Sequence, residues 1–83
     1  MRATTYDAVD IKNGRLEKIS EEEAYEMIKD RKRVIIRVRN REFILAETLP
    51  EFKQMKKLNN DGIYDMFICY KEKTPWWRLS LIL

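Results

Sequence analysis

Eighty-three residues are enough for one domain with a modest core, because a chain this short hides only about 60–65 % of the surface its unfolded form exposes. Hydrophobic residues make up 45 % and charged residues 37 %, with two Gly and two Pro, which excludes the disordered, low-complexity and collagen-like classes, and no run of about 18 apolar residues offers a membrane span. The net charge is +3, and a chain with no histidine and one cysteine lacks the usual zinc sets, the histidine-dependent nucleophiles and any intramolecular disulfide.

The first stretch, MRATTYDAVD, has no apolar centre of the kind a secretory signal needs, so the expectation is a soluble, cytoplasmic protein. Charge is divided unevenly: residues 1–30 carry five basic and eight acidic side chains, and residues 31–83 carry twelve and six. Such a split describes a polarised surface whose basic side attracts nucleic acid, an acidic protein or a membrane surface.

In chain order, Thr4 to Ile11 has strand character, and Asn13-Gly14 reads as a tight hairpin turn because both residues tolerate positive φ. Arg15 to Ile19 returns as a second strand. Ser20 caps a helix over about Glu21 to Asp30, with Glu23 placed for a capping box and Ile19 placed to staple onto Ala24. Ala24, Tyr25, Met27 and Ile28 share its inner side. The run Glu21, Glu22, Glu23 imitates a metal or docking site, but carboxylates in a first turn already complement the helix dipole.

The densest positive charge sits in RKRVIIRVRNREFILAE, Arg31 to Glu47, which reads as a hairpin. Val34, Ile36 and Val38 alternate with Arg33, Ile35, Arg37 and Arg39. Asn40-Arg41 makes the turn, and the chain returns with Phe43 and Leu45 on one side. Thr48, Pro50 and Glu51 then open a second helix whose inner side carries Phe52 and Met55, while Lys53 and Lys57 face outward. Asn59 to Gly62 stops it. Ile63 to Lys71 is apolar on both faces, as a central strand should be, with Cys69 a small buried hydrophobe. Lys73-Thr74-Pro75 turns the chain into a last strand, Trp76 to Leu83.

The order strand, helix, strand, strand, helix, strand is that of a single α+β domain with an antiparallel-rich sheet and two short helices on one face. The closest arrangement is ferredoxin-like βαββαβ with an added C-terminal strand, and a β-grasp-like layout is the alternative. By analogy with the first, Arg33 to Arg39 lies at a sheet edge, where arginines deter pairing with other chains and need no further function.

Catalytic patterns fail one by one. Ser20 and Ser80 leave a Ser-Lys pair formally open, but the first is a cap and the second implies no pocket. Gly14 and Gly62 stand alone, outside any phosphate-cradling pattern. Asn59 to Gly62 imitates part of a calcium loop, yet the count places Lys57 and Ile68 where carboxylates are needed. Glu51 and Lys53 with Asp30 imitate a nuclease triad, but Glu51 belongs to a cap. The chain is expected to be non-enzymatic and to need no cofactor.

Two binding readings survive. In one, the domain docks a basic and aromatic surface onto a protein or nucleoprotein partner, as a small inhibitor or adaptor of the sort viruses and mobile elements carry. Trp76, Arg78 and the hairpin arginines are its anchors, since Trp, Tyr and Arg dominate binding hot spots. The pair Trp76-Trp77 cannot bury both rings on one side of a strand, so either one ring stays exposed or a homodimer covers it. In the other, Arg33, Arg37, Arg39 and Arg41 contact phosphates while Tyr70 or Trp76 stacks on unpaired bases. Both depend on Arg33, Arg37 and Arg39 sharing one strand face.

Overall fold

The structure is a computed structural model that describes residues 2–73. The turn at Thr74-Pro75, the strand expected over Trp76 to Leu83, and the candidate anchors Trp76 and Arg78 lie outside the described residues.

The elements are β1 (Arg2–Ala3), α1 (Ala8–Lys12), β2 (Leu16–Ile19), α2 (Glu21–Lys29), β3 (Val34–Arg39), β4 (Glu42–Ala46), α3 (Leu49–Asn60) and β5 (Ile68–Glu72). The strands form one antiparallel sheet in the order β1-β4-β3-β5-β2. The α+β class is as expected. The strand order is not: β3 is held between β4 and β5 in the interior, and among the described residues the edges belong to β1 and β2. Edge protection therefore does not account for the β3 arginines.

Helix boundaries follow local chemistry. The Ser20 hydroxyl accepts from the Glu23 amide, and Thr48 and Glu51 complete a reciprocal capping box with Pro50 in the first turn. The segment Thr4 to Ile11 is not a strand beyond Ala3. Asp7 and Asp10 form a capping box of their own and start α1, with the Asp7 amide donating to Asp10 Oδ2 at 2.8 Å. Asn13-Gly14, expected to turn a hairpin, ends this helix instead.

The three helices of the described residues close in the same way. In α1 the Gly14 and Arg15 amides donate to Ile11 and Asp10. In α2 those of Arg31 and Lys32 donate to Ile28 and Met27, and in α3 those of Gly62 and Ile63 donate to Asn59 and Leu58. These are Schellman motifs, which need a left-handed residue just past the cap. Gly14 (φ 76°) and Gly62 (φ 80°) supply it at no steric cost, but in α2 the position is taken by Arg31 at φ 64°.

The sheet is packed on both sides. On one face Val34, Ile36, Val38, Ile44, Ala46 and Cys69 meet Ala24 and Ile28 of α2 and Phe52 and Met55 of α3. On the other, Leu16, Ile35, Phe43, Leu45 and Tyr70 form a second cluster, against which Tyr6 and Ile11 of the N-terminal segment pack. The arginine side of β3 was expected to be wet, and instead it borders this second core. The last strand is shorter than expected, because residues 63–67 form a loop before β5.

Candidate functional site

The hairpin arginines do not form one basic stripe. Arg33 precedes the first residue of β3, and its guanidinium grips the Glu72 carboxylate in two bonds, Nε to Oε1 at 2.5 Å and Nη2 to Oε2 at 3.1 Å. The Tyr6 hydroxyl donates to the same carboxylate. Burial first, then the hydrogen bond to Glu72 and the charge of that carboxylate, push the Tyr6 phenol up to about 12.

Arg37 is folded back on its own turn. Its guanidinium lies 5.2 Å from the centre of the Phe43 ring and donates to the Asn40 carbonyl at 2.7 and 3.1 Å and to Asn40 Oδ1 at 2.9 Å. It stands roughly 13 Å along the strand from Arg33 at the usual rise of about 3.3 Å per residue.

Arg39 has left the face that Arg33 and Arg37 share. Phe43 pairs with Arg37 and Glu42 with Arg39, so β3 carries one extra residue there. Such a bulge resets the alternation of side chains. The carbonyl of Val38, the extra residue, accepts from the Asp65 and Met66 amides at 3.0 and 3.2 Å. Arg39 accordingly turns to the loop after α3, where it pairs with Glu42 at 2.7 Å, donates to the Ile63 carbonyl at 2.9 Å and lies 5.3 Å over the Tyr64 ring. The shared strand face on which both binding readings were built is absent.

Tyr70 is a second correction. It is only 4 % exposed and packs against Phe43 at 6.1 Å between ring centres, so its face is closed to a stacking base. The pattern over Ile63 to Lys71, apolar on both faces, already implied a covered Tyr70; the stacking role overlooked it because the arginines of neighbouring β3 marked that side as wet. Cys69 is buried as expected, and burial pushes its thiol up to about 12.

What the fold does bring together is the hairpin tip. There Arg39 joins the loop that carries Tyr64 and Ile63, while Arg37 keeps to the other face of the strand and the exposed Arg41 stands in the turn; Ile63 is 53 % exposed, as is Val9 on α1. Arg41 has no ion-pair partner among the described residues. Ile63 was placed in a strand by its neighbours; the signal for its exposure was Gly62, which ends α3 just before it.

Among the described residues, no three His, Cys, Asp or Glu side chains are grouped so as to hold a metal ion, and no helix is long and apolar enough to cross a membrane. Comparison with protein-family models, curated proteins and solved structures returns no match to this chain.

Proposed function

We propose that this domain is a non-enzymatic binding module that docks its hairpin tip onto a protein or nucleoprotein partner. The observation that carries the reading is Ile63, left half in water beside the Arg39–Tyr64 stack and next to a turn that presents Arg41. An exposed aliphatic side chain beside an arginine–tyrosine stack brings together residue types that suit an interface anchor. The internal bonds of Arg37 and Arg39 suit the same role. They fix both guanidinium groups before a partner arrives, which lowers the entropy lost on binding.

Phosphate contact is the second reading, favoured by Arg41 and by the basic balance of residues 31–83. Three of its four arginines already hold internal acceptors, so the free charge it relies on is smaller than the sequence promised.

Affinity capture from the source cell, with and without nuclease, separates the two. The protein reading expects a stoichiometric protein partner that survives nuclease and is lost with Ile63→Asp, a surface change that leaves the core intact. Recovery of nucleic acid alone, with affinity falling by about one unit of log K per log unit of salt for each phosphate contact, would replace it with the second reading.

A further inference from the structure

Of the four asparagines in the chain, Asn13 alone is followed by glycine. That pair has a chemistry of its own. The carboxamide of an asparagine is open to attack by the main-chain nitrogen of the next residue, and glycine, with no Cβ, obstructs the resulting ring least. Asn13 is the C-cap of α1 (φ −81°, ψ 0°) and Gly14 follows at φ 76°, both exposed. Gly14 stands in open space, with nothing within 4 Å of the place a Cβ would take. The Asn13 carboxamide has no hydrogen-bond partner among the described residues.

The remaining asparagines are held otherwise. Asn40 Oδ1 accepts from Arg37 at 2.9 Å and is followed by Arg41, while Asn59 and Asn60 lie within α3 and precede Asn60 and Asp61. Asp61 and Gly62 repeat the geometry of Asn13 and Gly14, with Asp61 closing α3 at φ −82°, ψ 1°. Their chemistry differs, because a carboxylate is a far poorer electrophile than an amide, and Lys57 holds this one at 3.2 Å. In the closed end of α1, Gly14 donates to the Ile11 carbonyl at 3.2 Å and Arg15 to Asp10 at 2.8 Å, so the attacking nitrogen is engaged until that end opens. A helix of five residues is far below the length of about 12–15 at which helices stand alone. Such an element opens locally at a lower free energy than the sheet beneath it.

We infer that Asn13 is a modification site, converted through a cyclic imide to aspartate and isoaspartate when the end of α1 opens. The Gly14 amide gives its proton to hydroxide, and its nitrogen bonds to Asn13 Cγ. The Cγ–Nδ2 bond then breaks, and ammonia leaves after Nδ2 takes a proton from water. Water opens the ring at one of its two carbonyls. Opening at Cγ gives aspartate, and opening at the main-chain carbonyl gives isoaspartate, in which Cβ and Cγ have entered the backbone. Either product places a negative charge at the C-terminal end of α1, where the helix dipole disfavours it. The isoaspartate also lengthens the main chain, which the closing bonds of Gly14 and Arg15 do not accommodate. Since the Arg15 carbonyl accepts from the Lys73 amide at 3.0 Å, the change reaches the ladder between β2 and β5. The reaction needs water alone and leaves the hairpin tip untouched, so it is independent of the proposed binding.

The test is storage of the purified full chain in warm, mildly alkaline buffer, native and with denaturant, followed by isoelectric focusing and mass spectrometry of the peptide that carries residue 13. Native wild type should become more acidic by a single charge step. The change should map to Asn13 and include isoaspartate, which direct hydrolysis of the side chain does not produce. Asn13→Gln, which would need a larger ring, should abolish the charge step, and circular dichroism checks that this variant is folded. Hydrogen exchange of the Gly14 amide supplies the rate. Exchange and ring closure both require that N–H freed and deprotonated, so native conversion should be slower than conversion in denaturant by the factor that protects the Gly14 amide. An Asn13 still intact after the time that factor sets, equal conversion in native buffer and denaturant, or equal loss at Asn40, Asn59 or Asn60 would each overturn the inference.

Discussion

Arg33 and Glu72, 39 residues apart in sequence, close a two-bond ion pair beside the Tyr6 hydroxyl, and so tie three separate stretches of chain at one corner of the sheet. Arg33 precedes β3, Glu72 ends β5, and Tyr6 lies in the segment covering the second core. Arg33 is half in water, so the pair alone adds little. The Tyr6 bond holds the N-terminal segment against the sheet.

Replacing Tyr6 by Phe should therefore cost about 1 kcal/mol near neutral pH, the usual worth of one such bond. The cost depends on pH in a definite direction. The phenol is raised from 10.0 to about 12 in the folded chain, so its contribution is complete below pH 10 and is lost as pH rises from there to about 12. Denaturant melts of wild type and Tyr6→Phe should converge over that interval. A difference that stays constant from neutral pH to 12 would show that the hydroxyl proton plays no part.

Arg31 is the one residue of the three helix-ending positions that meets its left-handed conformation with a side chain. That conformation costs a non-glycine residue roughly 1–2 kcal/mol, partly offset by the greater unfolded-state freedom of glycine. Arg31→Gly should stabilise the fold by about 0.5–1 kcal/mol, visible as a rise of a few degrees in Tm. Arg31→Ala, which keeps the Cβ, should not. Equal melting of both variants would mean that α2 bears no strain at this point.

How far these features could be read from sequence depended on how local their causes are. The caps of α2 and α3 were legible because Ser20 with Glu23, and Thr48 with Glu51, act within one helical turn. The Asp7–Asp10 box is just as local, but Thr4, Thr5, Tyr6 and Val9 around it favour strands, and Asn13-Gly14 serves equally as a hairpin turn or a helix end. The position of β3 inside the sheet was not legible, since it depends on pairing with Ile68, Cys69 and Tyr70 more than 30 residues away. One residue did carry the information. Ile35, set among arginines, is 1 % exposed, and a large aliphatic side chain on a supposedly wet face was the sign that the face is covered. The bulge that carries Arg39 away left no trace in the pattern.

Cys69 pairs with Ile36 of β3 and Ile19 of β2, inside the sheet and under the helices. Burial, followed by the charge of Glu21, pushes its thiol up to about 12, so at neutral pH little thiolate forms in the folded state. Modification by a thiol-reactive disulfide should be slow in native buffer, follow the rate of opening, and be immediate in denaturant. Rapid native labelling would show that the β2–β5 region opens far more readily than its burial implies.

Arg39 is the joint between the hairpin and the loop that carries Ile63. Its three contacts, to Glu42, the Ile63 carbonyl and the Tyr64 ring, need a planar group with several donors. A lysine keeps the charge but cannot make all three at once. Arg39→Lys should then cost only about 1 kcal/mol of global stability, as a partly exposed pair would, while loosening the loop locally. The sensitive reporters are the Asp65 and Met66 amides, which donate to the Val38 carbonyl at the bulge. Their hydrogen exchange should accelerate in Arg39→Lys by more than the change in global stability accounts for, whereas the Ile36 amide in the middle of β3 should follow global stability alone. If all three accelerate together, the loop is held by the fold as a whole, and the tip is not fixed in advance by Arg39.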